Sequence, residues 1–347
     1  MEVDHELRRE IDLPDRSHLI EEVTPESVGS LKLTRASYFT PQRLILHVSE
    51  SPGFVWKIRG QNEYVIAGRW RHRDEIGHIL EMTYGRHRDI LLSFVLDVFR
   101  DRGTKLVVIP LDDLSLYRAF YAKFGFERLD EIIELERSNN KEIPPTVSLF
   151  INKMSPEDLP AVLAVDKASF PWLWRNSLEE FEWYGSQWGV ETYVARDDHG
   201  IIGYSGLTIR GLDGHLDRLA VLPSYQGQGY GSALLRYSIE RMMQAGVRYI
   251  ALSTQSSNKV SQQLYRLFGF RPTFRSQKIY GLWLDESFSI PEIEKDGSFS
   301  LPGKEKDESF SLPGKEKDGS FSSAEIGKDG SFSISEIEKD GGQAAVE

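Results

Sequence analysis

Short apolar runs alternate with amphipathic stretches along most of this chain, a pattern that predicts strands laid between helices. Runs at 193–195, 219–222 and 249–252 have the length and composition of strands buried in a sheet. In the second half, helices are expected at 156–168, 177–187, 229–245 and 258–267, and strands at 147–153, 190–196, 201–210, 215–222 and 248–253. A closing hairpin of strands 270–274 and 277–284 completes an α/β plan.

The same order is written twice. Phe120-Tyr121-Ala122-Lys123-Phe124-Gly125-Phe126 and Leu264-Tyr265-Arg266-Leu267-Phe268-Gly269-Phe270 end alike. Each follows an amphipathic helix and a β-rich run, 89–102 with 105–109 and 232–245 with 248–252. A tandem duplication follows, jointed where Asn139-Asn140 and Pro144-Pro145 break regular structure. The division expected is an N-terminal extension (1–29), a first copy (30–138), a linker (139–145), a second copy (146–286) and a tail (287–347). The tail repeats every eleven residues, as in SFSLPGKEKDG. Its Ser, Gly and Pro break helices, and one Phe with one or two aliphatics per unit cannot offset the entropy of ordering, so disorder is expected.

Composition narrows the chemistry. The 347 residues suit two domains and an appendage at the usual ~100–200 residues per domain. The absence of cysteine excludes disulfides, thiolate metal sites and a cysteine nucleophile, and it suits a reducing compartment. No His/carboxylate spacing suggests a metal, so none is expected. No apolar run reaches the ~20 residues of a membrane span, and the acidic start Met1-Glu2-Val3-Asp4 is unlike a signal peptide, so a soluble, cytoplasmic protein without membrane contact is expected. The net charge of −11 disfavours a nucleic-acid partner.

Residues 215–232 hold the most specific signal. A strand meets a Pro223-Ser224 turn and then Gln226-Gly227-Gln228-Gly229-Tyr230-Gly231-Ser232, which opens a helix. A diphosphate needs many donors at once; a helix start offers unused N–H groups with partial positive charge, and glycines let the backbone come close. The glycine spacing fits neither the dinucleotide-binding GxGxxG pattern nor the P-loop.

Gln226-x-x-Gly229-x-Gly231 matches the (Arg/Gln)-x-x-Gly-x-(Gly/Ala) signature of the GNAT acetyltransferase superfamily. Asn258-x-x-Ser261-x-x-Leu264-Tyr265-x-x-x-Gly269-Phe270 resembles that family's second segment. The resemblance implies an acyl-CoA N-acyltransferase fold, a mixed central sheet flanked by helices and present in two tandem copies. It also implies that acetyl-CoA is the acyl donor, with the backbone of Leu219, Ala220 and Val221 along its pantetheine arm. Amides from Gln226 to Ser232 would hold its pyrophosphate and Asn258 would bond nearby, a role compatible with capping the helix that follows.

Acetyl transfer to an amine needs a base for the ammonium proton and an acid for the departing thiolate. Tyr265 sits where the family commonly places its acid, although its ring could instead simply pack under the sheet. In relatives that acetylate ribosomal-protein N-termini a glutamate base precedes the Asn segment, and here that position is Ser253. His215 falls where histone-acetylating members of the family carry their glutamate base and, with Asp217 on the same strand face, is the base candidate the resemblance implies; the alternative is a solvated strand-end histidine. An aromatic group around Phe170, Trp172, Trp174, Phe181, Trp183, Tyr184 and Trp188 reads mostly as core, and the runs 169–172 and 177–181 resemble the branch that acetylates protein N-termini. The acceptor expected is therefore a small-molecule amine or a peptide N-terminus.

In the first copy the glycine signature is reduced to Tyr84-Gly85-Arg86-His87-Arg88, whose side chains would crowd a pyrophosphate, so that half is expected to be degenerate. Against the enzyme stands a non-catalytic acyl-CoA-binding sensor or scaffold.

Overall fold

The computed structural model describes residues 17–285 other than 36 and 112–114, together with 325–326 and 332–333. The first half supplies β1 (Ile20–Glu22), α1 (Pro41–Glu50), β2 (Val55–Ile58), β3 (Tyr64–Arg69), β4 (Ile76–Met82), α2 (Arg88–Asp101), β5 (Leu106–Leu111), α3 (Ser115–Lys123) and β6 (Glu127–Ser138). The second supplies β7 (Phe150–Lys153), α4 (Leu159–Ser169), α5 (Leu178–Ser186), β8 (Val190–Asp197), β9 (Gly200–Arg210) and β10 (Asp213–Val221). It continues with α6 (Tyr230–Gln244), β11 (Tyr249–Gln255), α7 (Lys259–Leu267) and β12 (Arg271–Trp283). β1 falls within the stretch expected to be an extension and forms an edge of the sheet.

All twelve strands join one mixed sheet in the order β1-β2-β3-β4-β5-β12-β6-β11-β10-β9-β8-β7. Its two parallel pairs, β4 with β5 and β10 with β11, occupy matching places in the two halves. At the centre the halves exchange their last strands: β12 pairs with β5 through Lys278–Trp283, and β6 pairs with β11 through residues 132–138.

That exchange replaces the expected hairpin at 270–284. β12 runs on through 275–276, where Arg-Ser offers no residue suited to the positive φ of a tight hairpin turn, and a register shift between Pro272 and Ser276 takes up the irregularity.

The amphipathic stripes explain the layers. On α6, Leu235, Ile239 and Met242 are buried and pack over Leu207, Leu216, Ile250 and Leu252, while Leu234 packs with Ala195, Ile202 and Val221. α2 does the same in the first half, with Leu91, Val95 and Phe99 over Val65, Ile79 and Val107. On the other face, Val162 and Val165 of α4 and Phe181 of α5 cover Val194 and Tyr204. There the fully buried Asp166 accepts from Tyr204 Oη (2.5 Å) and the Asn176 amide (2.9 Å) and pairs with Arg218, tying α4 to β10.

No helix among the described residues is long and apolar enough to cross a membrane. The disorder expected of the repeat tail lies outside the described residues, apart from the short strands Glu325–Ile326 and Phe332–Ser333, which pair antiparallel.

Candidate active site

A cleft of about 550 Å³ opens where the two halves meet, lined from the second half by His215, Asp217, Leu219, Asn258 and Tyr265, among others. Strand geometry puts them there. β10 and β11 pair only from Asp213 with Tyr249 to Leu216 with Leu252, after which the strands run on without pairing to each other. On its other side β10 carries a β-bulge at Asp217, because Leu216 pairs with Leu207 and Arg218 with Gly206.

The bulge aims Asp217 at its neighbours. Its Oδ1 lies 2.6 Å from His215 Nδ1, and its Oδ2 accepts from Tyr184 Oη (2.6 Å) and Thr208 Oγ1 (2.7 Å). An ionised carboxylate can only accept, so His215 donates from Nδ1 and the basic lone pair belongs to Nε2. His215 is buried, not solvated at a strand end. Burial, reinforced by the Asp217 charge, pushes the Tyr184 phenol well above its ordinary range, so it remains a donor.

Tyr265 lines the same cleft from α7 with its ring edge-on to Phe270 (6.0 Å). Burial pushes its phenol up to about 12 against a hydrogen bond with Ser261 that lowers it, so it holds its proton at neutral pH. Asn258 caps α7, its Oδ1 accepting from the Ser261 amide (3.1 Å). Ser253 faces the cleft, and directly across from it on β6 stands Glu134, fully buried and contributed by the first half. Burial raises the Glu134 carboxyl, against the pull of Arg275.

The glycine loop lies outside the cleft lining, at the far end of the unpaired stretch of β10. Gly227 (φ 75°) and Gly229 (φ 87°) take the left-handed backbone that favours glycine. Gly229 caps α6 without a side-chain bond, and no turn or loop hydrogen bond among the described residues uses an amide from Gly227 to Ser232 as donor. Those amides form a cradle for an anion. The Leu222 amide bonds to Ile202 on β9, so by strand alternation the polar groups of Leu219 and Val221 point toward the gap beside β11. The Val221 carbonyl is already taken by Gln226 Nε2 (2.9 Å) and Ser169 Oγ (3.1 Å), while the Gln228 amide group turns back to Ser224 O (3.2 Å). Ala220 is buried toward α4, and Tyr230 leans on Tyr225 (6.2 Å).

The first half repeats this frame without its chemistry. His78 matches His215 in the parallel pairing and lines the same cleft, but the bulge residue after it is Leu80, not a carboxylate. At the start of α2, Glu63 accepts from the His87 amide (2.8 Å) and meets His87 Nδ1 (3.0 Å), occupying donors that an anion would need. Burial raises the Glu63 carboxyl, yet these bonds outweigh it and hold the group below its usual range.

Sequence reasoning missed Thr208, Glu63 and Glu134, and it placed Tyr184 within a mostly structural aromatic group. Trp172, Trp174 and Phe181 are buried, but Trp174 lines the cleft together with Phe170, Trp183 and Tyr184, and Trp188 is 73% exposed. The recurrence of Gly-His at 77–78 and 214–215 was the available signal for the paired histidines.

The model of the acetyltransferase (GNAT) family matches residues 159–270. The chain is 30% identical over 133 residues to an uncharacterized N-acetyltransferase of Methanocaldococcus jannaschii, covering 38% of this chain and 84% of that protein. It is 27% identical over 113 residues to N-alpha-acetyltransferase 30 of Schizosaccharomyces pombe, covering 30% of this chain and 71% of the relative. In fold it is similar to a tandem GNAT protein from the clavulanic acid biosynthesis pathway, with a TM-score of 0.53 at 14% identity over 78% of this chain and 99% of that one.

Proposed function

Because the chain belongs to the GNAT acetyltransferase family, we propose that it transfers acetyl from acetyl-CoA directly to a primary amine, with one active site per chain in residues 146–286. The observation that carries this reading is the His215–Asp217 pair, oriented by Tyr184 and Thr208 in a cleft that Tyr265 shares.

Acetyl-CoA supplies a thioester carbon for the amine to attack. The unused amides from Gly227 to Ser232 fit its pyrophosphate, and the unpaired edge of β10 at Leu219 and Val221 fits an extended arm. His215 accepts the ammonium proton at Nε2, and Asp217 stabilises the imidazolium that forms. As the C–N bond forms and the C–S bond breaks, the departing thiolate takes the proton of the Tyr265 phenol, and the phenolate takes the second proton that the acylated nitrogen sheds. No covalent link to the protein is needed. Residues 30–138 serve as a degenerate half that walls the acceptor side, and the lack of cysteine suits work in the cytoplasm.

The test is thiol release from acetyl-CoA across a panel of small amines and peptides with free N-termini, with His215→Ala and Tyr265→Phe beside the unaltered protein. Turnover that falls at least ~100-fold in His215→Ala supports the assignment. Tight acetyl-CoA binding without turnover on any acceptor would favour the sensor or scaffold, to which Ser253 at the relatives' glutamate position lends weight.

A further inference from the structure

Between β3 and β4 the chain makes a single turn, Trp70–His72, that reaches from the first half into the second. Arg71 (φ 52°) and His72 (φ 50°) are the two non-glycine residues with positive φ among the described residues. Arg71 lacks the short polar side chain that tolerates this backbone, so the turn is held by its surroundings. Trp70 Nε1 donates to Leu173 O (2.8 Å), Arg73 donates to Trp172 O, and His72 Nδ1 lies 2.6 Å from Glu180 Oε2.

The strained turn delivers Arg71 into the cleft. Its guanidinium lies over the rings of Trp70 (5.8 Å) and Trp174 (5.4 Å), and the residue is 9% exposed. Nη1 donates to Asn176 Oδ1 (2.7 Å), whereas the buried Nε has no partner, and Arg71 makes no ion pair among the described residues. Glu180 and Asp166, the carboxylates whose fields reach it, are engaged by His72 and by Arg218. Burial, then the like charge of Arg218, pushes the guanidinium down to about 10. Arg210 also lines the cleft without an ion pair among the described residues, and its Nε is likewise buried without a partner.

A buried cation without a counter-charge is costly, and a bound anion would relieve it. With Nη1 anchored by Asn176, the Nε–Nη2 edge presents the two parallel donors that match a carboxylate. Resting on the acetyltransferase reading above, we propose that the acceptor is a small amine that also carries a carboxylate, which Arg71 binds. The first half thereby contributes acceptor specificity to a reaction whose chemistry lies in the second.

The experiment compares amino acids, ω-amino acids and amino-terminated peptides with the same compounds amidated at the carboxyl group. The proteins are the unaltered chain, Arg71→Lys and Arg71→Gly, the last of which suits the positive φ and so favours folding. Carboxylated small amines should exceed their amides in kcat/KM by about 10- to 150-fold, the range a hydrogen bond to a charge commands. Arg71→Gly should bring that ratio close to one through KM, and Arg71→Lys should keep only part of it. Equal use of amides, preference for peptides over single amino acids, or a ratio that survives Arg71→Gly would overturn the proposal. Failure of acetyl transfer as such is separated by a second readout without acetyl-CoA. Carboxylated amines should raise the melting temperature of the unaltered chain and not of Arg71→Gly, and no rise in the unaltered chain overturns the proposal whether or not turnover occurs.

Discussion

Replacing Asp217 by Asn changes one atom of the site and tests the base assignment directly. Asp217 Oδ2 accepts two hydroxyl bonds, from Tyr184 and Thr208, and Oδ1 meets His215 Nδ1. An asparagine satisfies both hydroxyls only by placing its oxygen toward them, which turns its NH2 toward His215. The imidazole must then accept at Nδ1, so its proton moves to Nε2, the nitrogen needed as the base. The same tautomer trap in hydrolase triads lowers kcat about 10⁴-fold. For general-base loss at large the range is 10²–10⁴-fold, or about 3–5 kcal/mol of barrier.

The assay is thiol release measured as kcat/KM across pH, with thermal melting to confirm folding and calorimetry to follow acetyl-CoA. Binding of acetyl-CoA should persist, because the amides from Gly227 to Ser232 lie outside the cleft lining. Glu134→Gln is the control, since that buried carboxyl stands across from Ser253. An Asp217→Asn protein within threefold of the original, with Glu134→Gln inactive, would refute the assignment and move the base to β6.

Three further outcomes follow from the same geometry. Gly229→Ala puts a side chain on a backbone at φ 87°, with its Cβ 3.3 Å from Val147 Cγ1; denaturation should show about 1–2 kcal/mol of lost stability, with weaker acetyl-CoA binding by calorimetry. Calorimetry should also give one acetyl-CoA per chain, and still one in Glu63→Ala, because only residues 83–87 link β4 to α2 where 222–229 link β10 to α6; a second site would contradict the degenerate first half. Burial lowers the His72 imidazole, but the Glu180 bond and charge outweigh it and leave the group raised. Its stabilising contribution is therefore complete below the ordinary imidazole value and lost as pH climbs through the raised one, so melting temperature should fall across that window, and less so in Glu180→Gln.

What could be read from the sequence was local. The loop 226–232 and the cap Asn258 are contiguous signals, and the second-half helices fall within a few residues of their expected bounds. Burial of His215 was not legible, nor was the bulge at Asp217, which arises from a register mismatch with β9. The hairpin expected at 270–284 failed as well. Nothing in that segment says that its partners are β5 and β6, more than 130 residues earlier, instead of itself. Glu63 and Arg71 act through contacts 24 and 105 residues away, beyond any spacing argument.

The strand exchange also explains why a worn copy persists. β12 completes the sheet of the first half and β6 that of the second, so each half buries the other's central edge. Around that shared centre the two equivalent histidines, His78 and His215, face one cleft. Two catalytic centres there would compete for the same space. On the proposed function, Leu80 at the first bulge and Glu63 at the start of α2 leave only one of them, while the Trp70–His72 turn keeps its place against α5. On the function proposed above, the first half is thus released from binding an acyl donor and shapes the cavity in which the acceptor fits.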